Sequence, residues 1–265
     1  MFVRYLLSAA ASAMLLAGAA NAAPAPPKSV ELYAIKCGGL PIPNADMFAD
    51  DGAYKGRSVD MVVPCYLIRH PKGDLVWDTG VATSKPILID HLMQLGLTPA
   101  DIEYVSVSHG HFDHIGSAGT FAASTWIVDP DEKATVFTEA ARKNPQFAAY
   151  SALETSKTIL IEAPSYDVFG DKSVVIYQAP GHTPGHTVLL VRTKGGGNVL
   201  LTGDMWHVAE SRAGRKVPRF NFNREQTLKS MDLVEKLAAD NKALVVREHV
   251  PEDFTALPTF PKPLK

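Results

Sequence analysis

Three histidines and one aspartate lie within six residues in the stretch HGHFDH, residues 109–114. The chain has nine histidines, so a third of them are concentrated here. Imidazole nitrogens and carboxylate oxygens suit zinc and similar divalent ions, which they bind at about 2.0 to 2.2 Å. His109 and His111 can converge on one ion, while Asp113 and His114 point elsewhere, so the spacing predicts two ions. A polar surface loop whose histidines cluster by chance is the plainer alternative.

Two ions need more ligands, and three further residues of suitable type each follow a predicted strand. They are His182 in APGHTPGHT, Asp204 in VLLTGD and His249 in VVREH. Strand ends at one edge of a sheet can meet in space although they are far apart in sequence. The added residues would leave each ion a position open for water. Structural zinc is closed by four protein ligands, so the pattern favours a catalytic site.

The elements that must position these residues are a series of strands followed by strands alternating with helices. The alternation of apolar residues predicts strands over residues 30–37, 61–69, 74–77, 102–107, 125–128, 173–178, 187–192, 199–202 and 243–246. Helical spacing predicts helices over residues 87–95, 132–142 and 224–240, the last capped by Asn223 with Leu228, Met231, Leu233, Val234 and Leu237 on its apolar face. This order predicts an α/β fold of sheets covered by helices.

The first 22 residues have one basic residue, an apolar run and an Ala-Asn-Ala cleavage motif, as in a cleaved signal peptide. The pattern predicts a periplasmic or secreted protein without stable membrane association, and an uncleaved anchor is the alternative. A proline-rich lead-in would follow at residues 23–29, and a single domain at 30–265. The segment holds one of the 26 basic residues and none of the 28 acidic ones, so the remainder carries a formal charge of about −3. We see no basic stripe suited to nucleic acid.

Two cysteines, Cys37 and Cys65, each lie inside an apolar stretch typical of strands. An oxidising compartment would permit a disulfide between them. Buried free thiols are the plainer interpretation, because cysteine is among the residues most often buried. Their spacing is unlike that of a zinc ribbon or a C-x-x-C redox pair.

The HGHFDH, GHT, TGD and REH elements, in this order, resemble those of the metallo-β-lactamase superfamily. The stretches LYAIKCG, PCYLIRHPKGDLVWDTG, APGHTPGHT and VLLTGD are similar to the N-acyl-homoserine lactonase branch. The superfamily resemblance implies an αβ/βα four-layer sandwich. It also implies two divalent ions, expected to be Zn²⁺, with His109, His111 and His182 at one ion, Asp113, His114 and His249 at the other, and Asp204 bridging both.

The same resemblance suggests roles for three other residues. His186 could replace His182 as a ligand, although the superfamily uses the first histidine of GHTPGH, so a packed or orienting role is expected. Asp78 is most simply a turn residue, and in relatives it lies close under the metal loop. His207 stands where related lactonases commonly carry a tyrosine, and its N–H could donate a hydrogen bond to substrate. A rim histidine with no catalytic part is the alternative for His207.

The implied activity is hydrolysis of acyl-homoserine lactones, a small-molecule substrate, by a hydroxide held between the ions. Asp113 would carry the proton to the leaving alkoxide as a general acid. Met47, Phe48, Met205 and Trp206 are candidates to line an acyl-chain pocket, although core or loop-anchoring roles are equally open. Hydrolysis of β-lactams, thioesters or phosphotriesters is the alternative within the superfamily. A periplasmic zinc-binding protein without turnover is the alternative from another class, and a homodimer is possible.

Overall fold

The computed structural model describes residues 23–83 and 87–265, so the predicted signal segment lies outside the described residues. A first sheet has the strand order β1-β2-β3-β4-β5-β6. Its strands are β1 (Glu31–Ile42), β2 (Val59–His70), β3 (Gly73–Thr79), β4 (Tyr104–Ser106), β5 (Thr125–Val128) and β6 (Thr158–Leu160). The pairs β1–β2 and β2–β3 are antiparallel, whereas β3 to β6 are parallel.

A second sheet has the strand order β11-β10-β9-β8-β7. Its strands are β7 (Ser165–Asp167), β8 (Val174–Gln178), β9 (Thr187–Arg192), β10 (Asn198–Leu201) and β11 (Leu244–Val246). Strands β7 to β10 pair antiparallel, and β11 joins β10 in parallel. The three-residue strands β6 and β7 were not predicted, whereas β4 and β11, which are equally short, lie inside longer predicted strands.

Helices lie around the two sheets. They are α1 (Ile87–Gln94), α2 (Pro130–Val136), α3 (Glu139–Arg142), α4 (Ser211–Gly214), α5 (Arg224–Asn241) and α6 (Pro251–Thr255). Short 3₁₀ helices lie at Ala45–Phe48, Pro99–Asp101, Ala118–Phe121, Pro145–Ala149, Ser151–Thr155 and Gly203–Met205. Within the described ranges, no helix combines the length and the apolar character needed to span a membrane.

Alternating side chains divide the core into layers. Tyr66 and Trp77 of the first sheet pack with Leu189 of the second in a central cluster. Their strand neighbours point outward, where Leu67 meets Leu88 of α1. On the far side, α5 packs on the second sheet through residues such as Met231. Helix, sheet, sheet and helix thus form four layers, which confirms the predicted αβ/βα sandwich.

Cys37 and Cys65 form a disulfide, so the interpretation as free thiols was wrong. The two residues lie on paired antiparallel strands with their Cα atoms 5.7 Å apart, and the register shifts between Lys36 and Gly38. Cys65 pairs in register with Ile35, and Cys37 is the extra residue of the bulge, so sequence spacing does not reveal that the two cysteines meet. Gly80 packs on the disulfide, because a Cβ there would lie 2.6 Å from Cys37 Cβ.

Two helical predictions also need correction. The helix predicted over residues 132–142 is two helices, since Thr138 accepts a hydrogen bond from Ala141 N and so starts α3 after α2 has ended. In α5, Asn223 caps the N-terminus as predicted, but Leu233 is 36% exposed and does not belong to the buried face. The helix therefore buries a narrower stripe than its sequence suggests.

Candidate metal centre

The seven predicted ligands lie together at one edge of the sandwich, each in the segment that follows a strand. The HGHFDH loop follows β4, and His182 follows β8. Asp204 and His249 follow the neighbouring parallel strands β10 and β11. Parallel strands bring their carboxyl ends to the same edge, which is why residues far apart in sequence meet here. Six of the seven are buried, and His111 is half-buried.

The first group contains His109, His111, His182 and one oxygen of Asp204. His182 Nε2 lies 3.1 Å from His111 Nδ1 and 3.2 Å from Asp204 Oδ2. His109 Nε2 lies 3.5 Å from the same oxygen. Four ligand atoms therefore face one small volume.

The second group contains Asp113, His114 and His249. His114 Nε2 and His249 Nε2 lie 3.2 Å apart, and Asp113 Oδ2 is 3.5 Å from His249 Nε2. Asp204 Oδ1 lies 2.8 Å from His249 Nε2 and 3.0 Å from His114 Nε2. Asp204 thus presents Oδ2 to the first group and Oδ1 to the second.

These spacings fit bound metal ions. Ligand atoms about 2.0–2.1 Å from a tetrahedral ion are roughly 3.3–3.4 Å from one another. The closest pairs of ligand atoms here are 2.8 to 3.5 Å apart, and Asp113 Oδ1 lies 3.9 Å from His114 Nε2. Among the described residues, His109 Nε2 and Asp204 Oδ1 are buried without a hydrogen-bond partner of good geometry. A metal ion would satisfy both atoms, because buried polar groups otherwise need partners. The arrangement provides two adjacent metal-ion sites.

Neighbouring groups orient the ligands of these sites. Asp78 Oδ2 lies 2.8 Å from His114 Nδ1, and Asp78 also accepts hydrogen bonds from the N–H and hydroxyl of Ser108. Since a carboxylate only accepts, His114 carries its proton on Nδ1 and offers Nε2 to an ion. Asp78 itself has φ +52°, which is uncommon for a residue other than glycine. Its turn therefore aims a carboxylate under the metal loop.

Two further imidazoles are fixed in the same manner. His249 donates from Nδ1 to the carbonyl of Val62 at 2.9 Å, which frees Nε2 for an ion. His186 donates from Nδ1 to the carbonyl of Ala179 and accepts at Nε2 from the backbone N–H of Asp204. Both ring nitrogens of His186 are thus used, so the structure places it under Asp204 as an orienting residue.

The surroundings of His111 and Asp204 favour the protonation states that bind metal cations. Burial, together with nearby His182, lowers the pKa of His111 to about 4. Burial would raise the pKa of Asp204, but the surrounding histidines, His249 first, hold it well below its usual value. Neutral imidazoles and an ionised carboxylate are the protonation states that bind divalent metal.

One buried carboxylate near the site was not singled out from the sequence. Glu248 is fully buried, and its Oε1 accepts hydrogen bonds from Trp77 Nε1 and the backbone N–H of Gly203. It thereby fixes the chain just before Asp204 to the residue just before His249. The acidic residue in the REH element was the available signal, since Glu is almost never buried without partners.

An apolar cavity of about 300 Å³ opens directly onto the metal centre. It is lined by Leu40, Ile42, Met47, Phe48, Met61, His111, Phe112, Asp113, Asp204, His207, Phe220 and His249. Met47 and Phe48 are therefore lining residues. Met205 and Trp206 are not, because they pack in the cluster beneath α5.

His207 forms part of the wall between this cavity and Asp204. Its ring stacks on Phe48 with centroids 4.8 Å apart, and the edge of Phe220 contacts it at 5.4 Å. Its Nε2 points toward Asp204 Oδ2 at 3.0 Å and has no well-aligned hydrogen-bond partner among the described residues. A buried imidazole nitrogen therefore faces both the cavity and the metal centre.

A four-layer sandwich with two metal sites at one edge, sharing a carboxylate, defines a class of metal-binding α/β proteins. Within that class the sequence model of the metallo-beta-lactamase superfamily matches residues 59–245, and the chain belongs to this superfamily. It is 30% identical to the N-acyl homoserine lactonase AttM of Rhizobium radiobacter, over 87% of this chain and 98% of the relative.

Solved structures show the same likeness. A quorum-quenching N-acyl homoserine lactone lactonase matches with a TM-score of 0.75 and 27% identity, covering 90% of this chain and 99% of that one. A second match is an N-acyl homoserine lactone hydrolase with the product N-hexanoyl-L-homoserine bound at its catalytic metal centre. Its TM-score is 0.74 and its identity 26%, covering 88% of this chain and 98% of that one. The predicted resemblance to this superfamily and its lactonase branch is confirmed.

Proposed function

We propose that the protein hydrolyses the lactone ring of N-acyl homoserine lactones at its two-metal centre. The observation that carries the proposal is the apolar cavity that opens on the metal ligands and on His207. An acyl homoserine lactone has a polar ring and an apolar chain, and the cavity offers a surface for each. The names of the related lactonases support the same substrate class.

The apolar wall would hold the acyl chain. Phe48 and Met61 are buried in a cluster that packs the connection between β1 and β2 against β2 and Val208, while Met47 is 44% exposed at the rim of the cavity. Phe112 and Phe220 complete the rim from two other loops. Because burial of apolar surface contributes about 25 cal/mol per Å², each CH₂ group placed there would add up to about 0.8 kcal/mol of affinity.

The polar wall would orient the ring. His207 Nε2 is buried and free of a well-aligned partner, so as an N–H it can donate to the lactone carbonyl oxygen. Asp113 lines the same cavity, and we propose that its carboxylate carries a proton to the leaving oxygen.

His109, His111 and His182 would hold one ion, with Asp113, His114 and His249 at the other and Asp204 shared. We propose Zn²⁺ for both ions, since imidazole and carboxylate ligands suit it. When bound, such a pair supplies Lewis acidity and lowers the pKa of water from 15.7 to about 7.

Ring opening of a lactone releases a carboxylic acid, so proton release in weak buffer measures the reaction. We expect the zinc-loaded protein to release one proton for each N-hexanoyl homoserine lactone, and the chelated protein to release none. A panel with a β-lactam, a thioester and a phosphotriester under the same conditions tests the substrate class. Protein loaded with two ions that leaves the lactone intact would refute the proposal.

We also propose that the protein is exported and works in the periplasm or outside the cell. The N-terminal pattern of residues 1–22 supports this, as does the disulfide, since disulfides persist in oxidising compartments. Cell fractionation and mass spectrometry of the purified protein test it. A protein found in the cytoplasm that retains Met1 would contradict export.

A further inference from the structure

Glu132 is a buried carboxylate in the first turn of α2, only 1% exposed. Its Oε1 accepts a hydrogen bond from the backbone N–H of Gly110 at 2.6 Å. Its Oε2 accepts from the hydroxyl of Thr183 at 2.6 Å and from the backbone N–H of Gly185 at 3.1 Å. The lining of the substrate cavity does not include this residue. Three donors thus converge on a carboxylate that, within the described residues, forms no hydrogen bond to a metal-ligand side chain.

The three donors come from two loops that are far apart in sequence. Gly110 lies between His109 and His111, and Thr183 directly follows His182. These three histidines belong to the first metal group. Glu132 therefore joins the loop that provides two of its histidines to the loop that provides the third.

Packing around this carboxylate leaves both loops little freedom to move. A Cβ at Gly110 would lie 2.3 Å from Val136 Cγ1, and one at Gly185 would lie 2.4 Å from the backbone nitrogen of Glu132. Glycine is required at both positions because each loop lies directly on α2. The helix thus serves as a common base, and the Glu132 carboxylate is its polar contact to both loops.

The second metal group is oriented by other residues. His114 is held by Asp78, and His249 by the carbonyl of Val62. In the described part of the chain, Glu132 forms no side-chain hydrogen bond other than those to the two loops of the first group. A change at Glu132 should therefore act on one ion and leave the other largely unchanged.

We propose that Glu132 is a positioning residue for the first metal site. Its carboxylate fixes the distance between His109 and His111 on one loop and His182 on the other, and so sets the affinity for that ion. Residues that orient metal ligands in this indirect manner commonly change metal affinity by about 10- to 100-fold when replaced.

Glu132→Gln tests the proposal, since it keeps the shape but replaces one accepting oxygen with a donating NH₂ group. We expect one of the two ions to bind about 10- to 100-fold more weakly and the other as in the wild type. Competition against a zinc chelator measures both affinities and uses no lactone. The result is therefore independent of the proposed substrate.

Combining Glu132→Gln with a substitution in either metal site identifies the ion that is affected. In His249→Ala the second site is damaged, so Glu132→Gln should still weaken the remaining ion. In His182→Ala the first site is already damaged, so Glu132→Gln should have little further effect. Glu235→Gln is the matched control, because Glu235, on the surface of α5, pairs with Arg212 of α4. It should leave both affinities unchanged.

Thr183→Val and Thr183→Ser extend the test if Glu132→Gln does not fold. The valine removes one of the three donors and should weaken the same ion by a smaller factor, and the serine should restore it. Wild-type affinity for both ions in Glu132→Gln, or in Thr183→Val, would overturn the proposal. Equal weakening of both ions would overturn it too, because it would indicate a general loss of structure.

Discussion

The disulfide between Cys37 and Cys65 allows a worked prediction of stability. It closes a loop across a sequence separation of 28 residues between two paired strands. In the chain-entropy treatment, a loop of that length lowers the entropy of the unfolded chain enough to stabilise the folded state by about 3.6 kcal/mol at 25 °C. For a protein of this size that corresponds to roughly 7–14 °C in Tm. We therefore expect the double variant Cys37→Ala/Cys65→Ala to melt about that much lower.

Thermal unfolding of the metal-loaded wild type and double variant, followed by circular dichroism, measures the difference. Tris(2-carboxyethyl)phosphine, a reductant without thiol groups to chelate zinc, supplies an internal control, since it should lower the Tm of the wild type and leave that of the variant unchanged. Thiol alkylation and mass spectrometry show whether the bond is reduced in each sample. If full reduction lowered the free energy of unfolding of the wild type by less than about 1 kcal/mol, the reasoning would be wrong. The bond would then not stabilise the protein by limiting the entropy of the unfolded chain.

Three further predictions concern the metal centre. Asp204→Asn leaves one carbonyl oxygen where two carboxylate oxygens face two ion sites. We therefore expect metal analysis to show loss of at least one ion, with a parallel loss of turnover. Full metal content with full rate would contradict the role of Asp204 as a shared ligand. His207→Ala should lower kcat by about 10²–10³-fold while both ions stay bound, whereas loss of an ion would show that His207 is itself a ligand. Removing the metal with a chelator should lower Tm reversibly, because each ion present at 100 times its Kd stabilises the folded state by about 2.7 kcal/mol. An unchanged Tm would mean that the ions do not bind preferentially to the folded protein.

The fold was largely predictable where apolar periodicity extends over several residues. Strands β8, β9 and β10 and helix α5 lie close to their predicted bounds. The strands are apolar runs packed between two layers, and the helix buries one apolar face. Prediction failed where a local hydrogen bond decides the structure. The side chain of Thr138 starts a new helix inside a continuous helical pattern, and that competition is not visible in periodicity.

The candidate ligands of the site were predictable from the sequence, but the residues that support them were not. The HGHFDH cluster is local, and the structure brings the distant His182, Asp204 and His249 to it, although their roles as ligands stay a prediction. The supporting carboxylates were harder to find. Glu132 and Glu248 act through backbone N–H groups of other loops, and such contacts depend on the tertiary fold. The disulfide was missed for the same reason, since it depends on the register of β1 and β2.

The separation of the ligands along the chain has a consequence for maturation. The early cluster, at residues 109–114, is synthesised well before Asp204 and His249. A partly made chain could hold an ion only loosely through that cluster, because the shared carboxylate is not yet present. Full loading must wait until both sheets have docked, so metal uptake would be a late event that reports completed folding.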